Sequence, residues 1–275
     1  MVANTADDAE VYGVHVSPDP DLVTYWLADA IDERGWGLAD DTWQVMASLE
    51  RAGRPTWFRL GDADLAMCLI RTEELAGGAR LTDAHGAVVR ALGVTSRVLP
   101  MADEPVRTRV RVGEGWHALQ EYMIVLGGPE PDGVEFTGIE SARPTPEVLD
   151  AIERAEAIVI GPSNPVISIG PILEVPGMRA ALAAAHAPVV AVSPFVGGRS
   201  VKGPTEEFCR WAGLELGAAG AATAYKGVID GMVADEPAPP GALPWLTVPT
   251  LMEDAAGRKE LAEQVLAFAR SLAQP

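Results

Sequence analysis

The chain has 275 residues, 48% hydrophobic and 22% charged, with 39 acidic against 21 basic side chains and a formal net charge of −18. That length can bury a sizeable core, and the composition is that of a globular protein, which excludes wholesale disorder. So acidic a chain, with no basic stretch interleaved with aromatics, repels a phosphate backbone, and no nucleic-acid partner is expected.

In chain order, the first elements the pattern predicts are two helices, Asp40-Asp-Thr-Trp-Gln-Val-Met-Ala-Ser-Leu-Glu50 and Gly61-Asp-Ala-Asp-Leu-Ala-Met-Cys-Leu-Ile70, the second opened by capping-type acids. Val106–Val112 alternates Val and Thr with Arg107, Arg109 and Arg111, the pattern of a half-exposed strand. A turn-rich loop follows at 127–133. Pro146–Ala155 reads as a helix with proline at its start and Val148, Leu149, Ile152 and Ala155 on one face. Ala157–Gly161 is a short apolar run, Pro176–His186 an alanine-rich helix, and Pro188–Ser193 a second apolar run. Strand, loop, helix and strand inside about 40 residues predict a βαβ crossover, and apolar strands without polar alternation predict a sheet covered on both faces. A second loop at 236–244 precedes a helix opened near Asp254, with Leu261, Val265, Phe268 and Leu272 as its stripe. The fold class expected is therefore α/β, a parallel sheet with flanking helices. No repeat or long linker divides the chain, so residues 1–275 are read as a single domain.

Cys68 and Cys209 are too few for a disulfide framework or a zinc cluster and are expected as buried thiols. The opening Met1-Val-Ala-Asn-Thr-Ala-Asp-Asp8 has no export-signal pattern, and no apolar run approaches the roughly 20 residues of a membrane span. A cytoplasmic protein without a membrane partner is expected. Five of the seven tryptophans, Trp26, Trp36, Trp43, Trp57 and Trp116, are read as core or pocket walls.

Three loops carry residues suited to chemistry. Asp7, Asp8, Asp19 and Asp21 lie near turns, as hard oxygen ligands for Mg²⁺ would, although surface turns in an acidic chain look the same. His15, between them, is a potential base or simply a packed histidine. Gly161-Pro-Ser-Asn-Pro-Val-Ile-Ser-Ile-Gly-Pro171 leaves the carboxyl end of a buried strand, where ligands bind in open α/β sheets, and offers Ser163, Asn164 and Ser168 as small polar groups. Ser193-Pro-Phe-Val-Gly-Gly-Arg-Ser-Val-Lys-Gly-Pro204 follows the next strand, with Gly197 and Gly198 permitting close approach and Arg199 and Lys202 as cations suited to a diphosphate. The arginines of Val106–Val112 are read as a solvated strand face. No Ser-His-Asp arrangement, HExxH, Walker A or GxGxxG pattern is present, so nucleophilic and zinc hydrolysis lack local support.

These stretches, with Ser17-Pro-Asp19, Asp21, Leu60-Gly-Asp62, Asp64, Leu99-Pro-Met101, Gln120-Glu-Tyr122 and Thr250-Leu-Met252, occur in the order seen in the CofD-type transferases, and from Val2 to about Ala269 the chain resembles that family. The resemblance implies a Rossmann-like fold with extra helical insertions, and a Mg²⁺-dependent transferase of coenzyme F-420 biosynthesis. The implied reaction moves a phospholactyl or phosphoenolpyruvyl group from a guanosine diphosphate ester to the hydroxyl of the deazaflavin Fo, releasing GMP. It implies Asp7 as a catalytic Mg²⁺ ligand, Asp21 as the second ligand or a hydroxyl-positioning group, and Asp8 as a fallback ligand. Ser163, Asn164, Ser168, Gly197, Gly198 and Lys202 would lie on the nucleotide, and Asp62 and Asp64 on the acceptor. Such phosphoryl transfer relies on in-line placement and charge neutralisation, so the missing Ser-His pair is no objection.

The resemblance also implies a strand and a glycine-rich turn ahead of Asn4-Thr-Ala-Asp-Asp8, and the sequence is expected to lack them. Ala63 stands where the family carries Arg or Lys, and Met123-Ile-Val-Leu126 where basic residues are usual. The alternatives are a non-catalytic nucleotide- or deazaflavin-binding relative and an N-terminally truncated fragment of the enzyme. Neither lactate against enolpyruvate nor the oligomer is fixed by the sequence; a homodimer is one option.

Overall fold

The computed structural model describes residues 1–273, which gather into two compact units: Met1–Gly128 with Val134–Val148, and Pro129–Gly133 with Leu149 onward. The sequence reading expects one domain; the two units are described separately.

The first unit begins with β1 (Val2–Ala3), followed by the hairpin β2 (Ala9–Val11) and β3 (Val14–Val16) and by α1 (Pro18–Leu27). The hairpin turns on Tyr12 and Gly13, both at positive φ (54° and 78°), the conformation of a two-residue primed turn. Three helices follow: α2 (Gln44–Arg51), α3 (Asp62–Ala76) and α4 (Leu81–Ala91). Then come β4 (Leu99–Pro100), β5 (Arg107–Val112), β6 (Gly115–Ala118), α5 (Leu119–Ile124), β7 (Gly133–Thr137) and α6 (Pro146–Glu153), the last two crossing the unit boundary. β1 pairs with β4 in parallel, and β5 lies between β6 and β7. Val11, Val14 and Val16 of the hairpin pack with Phe58, Leu60 and Cys68, fastening it to α3.

α2 starts four residues later than the sequence pattern predicts, because Asp41 and Thr42 are drawn into capping. Asp41 accepts hydrogen bonds from the Ala63 and Asp64 amides at the start of α3, at 2.8 and 3.0 Å. Asp62 in turn accepts from the Gln44 and Val45 amides at the start of α2, both at 3.0 Å, and from the Thr42 hydroxyl. Each helix thus receives the carboxylate that satisfies its free N–H groups from the neighbouring segment. Gly61 makes this possible, since a Cβ there would stand 2.0 Å from Asp41 Oδ2.

The second unit contains β8 (Ile158–Ile160), α7 (Ile169–Glu174), α8 (Met178–Ala183), β9 (Val189–Val192), the hairpin β10 (Phe195–Val196) and β11 (Arg199–Ser200), α9 (Thr205–Trp211), α10 (Ala218–Ala224), β12 (Gly231–Ala234), β13 (Trp245–Thr247) and α11 (Ala255–Leu272). Its sheet runs β13-β12-β9-β8, parallel throughout, so the expected βαβ crossover is present with Ile158 opposite Val189. β9 and β12 are buried along their whole length, as their unbroken apolar runs require. β8 is an edge strand and departs from that pattern, with Val159 43% exposed. α11, capped by Asp254 on the Gly257 amide, lays Leu261, Val265 and Ala269 against Val190, Val192 and Val233. Gly231 lets it come close, since a Cβ there would meet Phe268 at 2.7 Å and Leu272 at 2.8 Å.

Both cysteines are free and buried, as expected. The tryptophans do not form the core. Trp26, Trp36, Trp57 and Trp116 are 36–60% exposed, and Trp43 lies between the Arg34 and Arg59 guanidinium groups, 5.7 and 5.1 Å from its ring centre. The buried rings are instead those of Tyr25, Tyr122, Tyr225, Phe195 and Phe208, set among aliphatic side chains.

Candidate active site

The four acids at the front of the first unit divide into two kinds. Asp7 and Asp19 share one partner: the Asn4 side-chain amide donates to Asp7 Oδ1 at 2.9 Å and to Asp19 Oδ2 at 3.0 Å. Burial holds both carboxyls above their ordinary range, Asp7 well above it and Asp19 at about 6, and Asp19's charge raises Asp7 further. The Asn4 carbonyl oxygen accepts the Ala6 amide at 2.9 Å, and the Ala6 backbone carbonyl accepts from Thr108 of β5 at 2.7 Å, which fixes the loop.

Asp8 and Asp21 are engaged elsewhere. Asp8, 2% exposed, accepts from Ser17 Oγ at 2.7 Å and lies 2.9 Å from His15 Nε2. Asp21 receives both Arg71 Nη atoms at 2.7 Å, a two-pronged ion pair inside the unit. Arg71 has no solvent exposure and also donates to the His15 carbonyl from Nε and Nη2 at 3.2 Å. Burial works against its charge, but the Asp21 carboxylate more than compensates and raises its pKa. Two half-buried acids facing one neutral amide suit a divalent cation, whereas a carboxylate already matched by a guanidinium does not need one. The set present therefore fits Mg²⁺ best at Asp7 and Asp19.

His85 completes the interior of this region. Arg71 Nη1 lies 3.4 Å from its Nδ1, so Nδ1 is the acceptor, and Nε2 donates to Thr24 Oγ1 at 3.2 Å, which in turn donates to the Pro20 carbonyl at 2.7 Å. Burial pushes His85 down to about 4 from 6.5, with Arg71 lowering it and Asp21 opposing. A neutral buried histidine stabilises the fold above its unfolded pKa, and that stability drains away as pH falls from 6.5 to about 4. The loss expected from this side chain is about 3 kcal/mol. Urea midpoints of wild type and His85→Gln should therefore converge or cross as pH falls through that window. Parallel profiles would contradict the assignment.

In the second unit, β8 and β9 are parallel neighbours, so the loops that follow them leave by the same sheet edge. Asn164 Oδ1 accepts the Val166 and Ile167 amides at 2.9 and 3.2 Å, and its carbonyl accepts from Ser168 and Ile169 at 3.1 and 3.0 Å. The loop is therefore built around Asn164, whose amide nitrogen remains for a ligand. Ser163 is exposed and Ser168 sits half-buried at the start of α7. Gly197 and Gly198 form the turn between β10 and β11, with φ of 58° and 76°, so hairpin geometry alone calls for glycine there. The Gly197 amide is already committed to Asp235 Oδ2 at 2.7 Å, a contact the sequence reading did not foresee. Lys202 is exposed just past the hairpin.

The family described as 2-phospho-L-lactate transferase CofD matches residues 1–244. The chain belongs to the CofD family. It is a transferase, as its relatives are named. A phosphoenolpyruvate transferase of Kitasatospora aureofaciens is 39% identical, over 99% of this chain and 89% of that one. A 2-phospho-L-lactate transferase of Methanosarcina mazei is 40% identical, over 86% and 78%. In fold the chain is similar to a crystal structure of protein BH3568 from Bacillus halodurans, with a TM-score of 0.60 at 16% identity over 96% of this chain and 90% of that one. No helix among the described residues is long and apolar enough to cross a membrane.

In CofD terms, the Leu60-Gly-Asp62-Ala63-Asp64 stretch splits its two acids. Asp62 is spent on capping α2. Asp64 accepts from the Tyr25 hydroxyl at 2.7 Å, and burial raises it to about 6. Asp64 also comes within 4.8 Å of Asp21 and Cys68 in ligand-atom distance. A cation there would have to displace Arg71 from Asp21, and burial pushes the Cys68 thiol far from ionising. That trio is better read as a closed interior network. Asn4 and Arg71 are the residues that sequence reasoning left without a role, and it took Asp19 only as one of four acids suited to Mg²⁺. Asn4 and Asp19 had a signal, since they fall inside the Asn4–Asp8 and Ser17–Asp21 stretches. Arg71 had none.

Proposed function

We propose that the chain transfers a phospholactyl or phosphoenolpyruvyl group from a guanosine diphosphate ester to the terminal hydroxyl of the deazaflavin Fo, within coenzyme F-420 biosynthesis in the cytoplasm. The acceptor oxygen forms a bond to the phosphorus bearing the three-carbon acid as the bond to GMP breaks, and the hydroxyl proton is released. The observation that carries this reading is identity near 40% to transferases of both names across most of the chain. Because the two names occur at equal similarity, the donor is left as the pair.

Asp7 and Asp19 hold Mg²⁺ in this proposal, taking the place first given to Asp21 and Asp8, whose oxygens already have partners. A bound Mg²⁺ would neutralise charge on the transferring phosphoryl group. Asn4 keeps the two acids facing one point by donating one N–H to each. Asn164, through its remaining amide N–H groups, Ser163 and Ser168 would orient the guanosine diphosphate, and Lys202 would screen it. Asp64 is left as the acceptor-side acid, since Asp62 has its oxygens on α2.

The test is incubation of the full chain with Fo, Mg²⁺ and each guanylated donor, reading GMP release. One donor should yield GMP only when Fo and Mg²⁺ are both present. Donor binding without GMP from either would favour the non-catalytic relative.

A further inference from the structure

Asp8 is the second acid of an Asp-Asp pair, yet its geometry is that of a support. Continuing the hairpin register of Ala9 opposite Val16 by one step sets Asp8 opposite Ser17. At that step the backbone ladder stops and a side-chain bond replaces it, Ser17 Oγ to Asp8 Oδ1 at 2.7 Å. His15, on β3, adds a second bond at 2.9 Å from Nε2 to Asp8 Oδ2. All three side chains are buried, at 2%, 1% and 8% exposure for Asp8, Ser17 and His15. One residue outward lies Asp7 on one arm; two residues outward lies Asp19 on the other.

We propose that the Asp8–Ser17–His15 cluster is a positioning brace that sets the separation of Asp7 and Asp19 and so tunes the divalent-cation affinity of that pair. This rests on the reading of Asp7 and Asp19 as the cation ligands. Without the brace, the open end of a hairpin of three-residue strands can splay, and two like-charged carboxylates lean apart with only the shared Asn4 amide to oppose their repulsion. With it, the arms arrive already spaced, so less ordering is required when a cation binds. Groups that support metal ligands commonly contribute 10–100-fold to affinity, and the brace belongs to that class although it stands one bond further back.

The experiment measures Mg²⁺ and Mn²⁺ binding to the full chain, by calorimetry and by Mn²⁺ electron paramagnetic resonance, with no substrate present. Ser17→Ala should weaken Mg²⁺ by about 10-fold and broaden the bound Mn²⁺ signal, with the far-ultraviolet circular dichroism of the metal-free protein unchanged. Ser17→Thr, which keeps the hydroxyl, should restore both. If Ser17→Ala does not fold, His15→Ala gives the same reading through the other bond. Asp19→Asn is the control for the underlying assignment. Loss of binding in Asp19→Asn with unaltered affinity in folded Ser17→Ala overturns the brace alone. Unaltered binding in Asp19→Asn overturns the metal assignment, and the brace with it.

Discussion

Asp7→Asn and Asp19→Asn should each lower turnover by more than ~100-fold, while Asp21→Asn should act mainly on stability. The reason lies in what each carboxylate already has. Asp7 and Asp19 share a single neutral amide, and burial holds both carboxyls above their ordinary range. Asp21 has a guanidinium on both oxygens. A second readout comes from the metal-free fold. The Asp19 pKa is raised to about 6 in the fold, so its contribution is favourable below the ordinary carboxylate range and is lost as pH rises through about 6. At pH 8 without Mg²⁺, Asp19→Asn should therefore melt higher than wild type. Mg²⁺ should then raise the melting temperature of wild type and leave the variant where it is. Turnover near that of wild type in Asp19→Asn would remove the basis for placing the cation there.

Arg71→Met should destabilise the first unit by about 3–5 kcal/mol, because it leaves the Asp21 charge buried with no counter-ion. It also removes two donors from the His15 carbonyl and the contact to His85 Nδ1. The double variant Arg71→Met with Asp21→Leu should regain much of the loss, since replacing both partners of a buried pair is often close to neutral. Urea denaturation of the three variants gives the coupling directly. A loss below about 1 kcal/mol in Arg71→Met, the range of an exposed pair, would mean that water reaches Asp21 in solution.

The α/β architecture was legible because it rests on local signals. The apolar runs at 157–161 and 188–193, and the alanine-rich segment between them, carry β8, α8 and β9 with boundaries off by one to three residues. The acids near the front were legible as a group but not as individuals. Pro18-Asp-Pro-Asp21 reads as a turn by its prolines, whereas Pro18 occupies the first turn of α1. On a helix, residues two apart point roughly 200° apart, so Asp19 and Asp21 must face different neighbours. One meets Asn4 and the other Arg71. The β2–β3 hairpin was also hidden, since Tyr12 is an unusual residue for a positive-φ turn position that normally favours Asn, Asp or Gly. Arg71 could not be found at all, because its partners lie 50 and 56 residues away in sequence and no periodicity encodes such a contact.

The reciprocal caps between Asp41 and Asp62 bear on Ala63, which lies between the two acids of the Leu60–Asp64 stretch. Ala63 enters that lock through its main-chain amide alone, and its side chain is exposed. The bracket therefore makes no demand on what residue 63 carries. A longer side chain at residue 63 would leave the start of α3 toward solvent while both caps stayed made by the same amides and carboxylates.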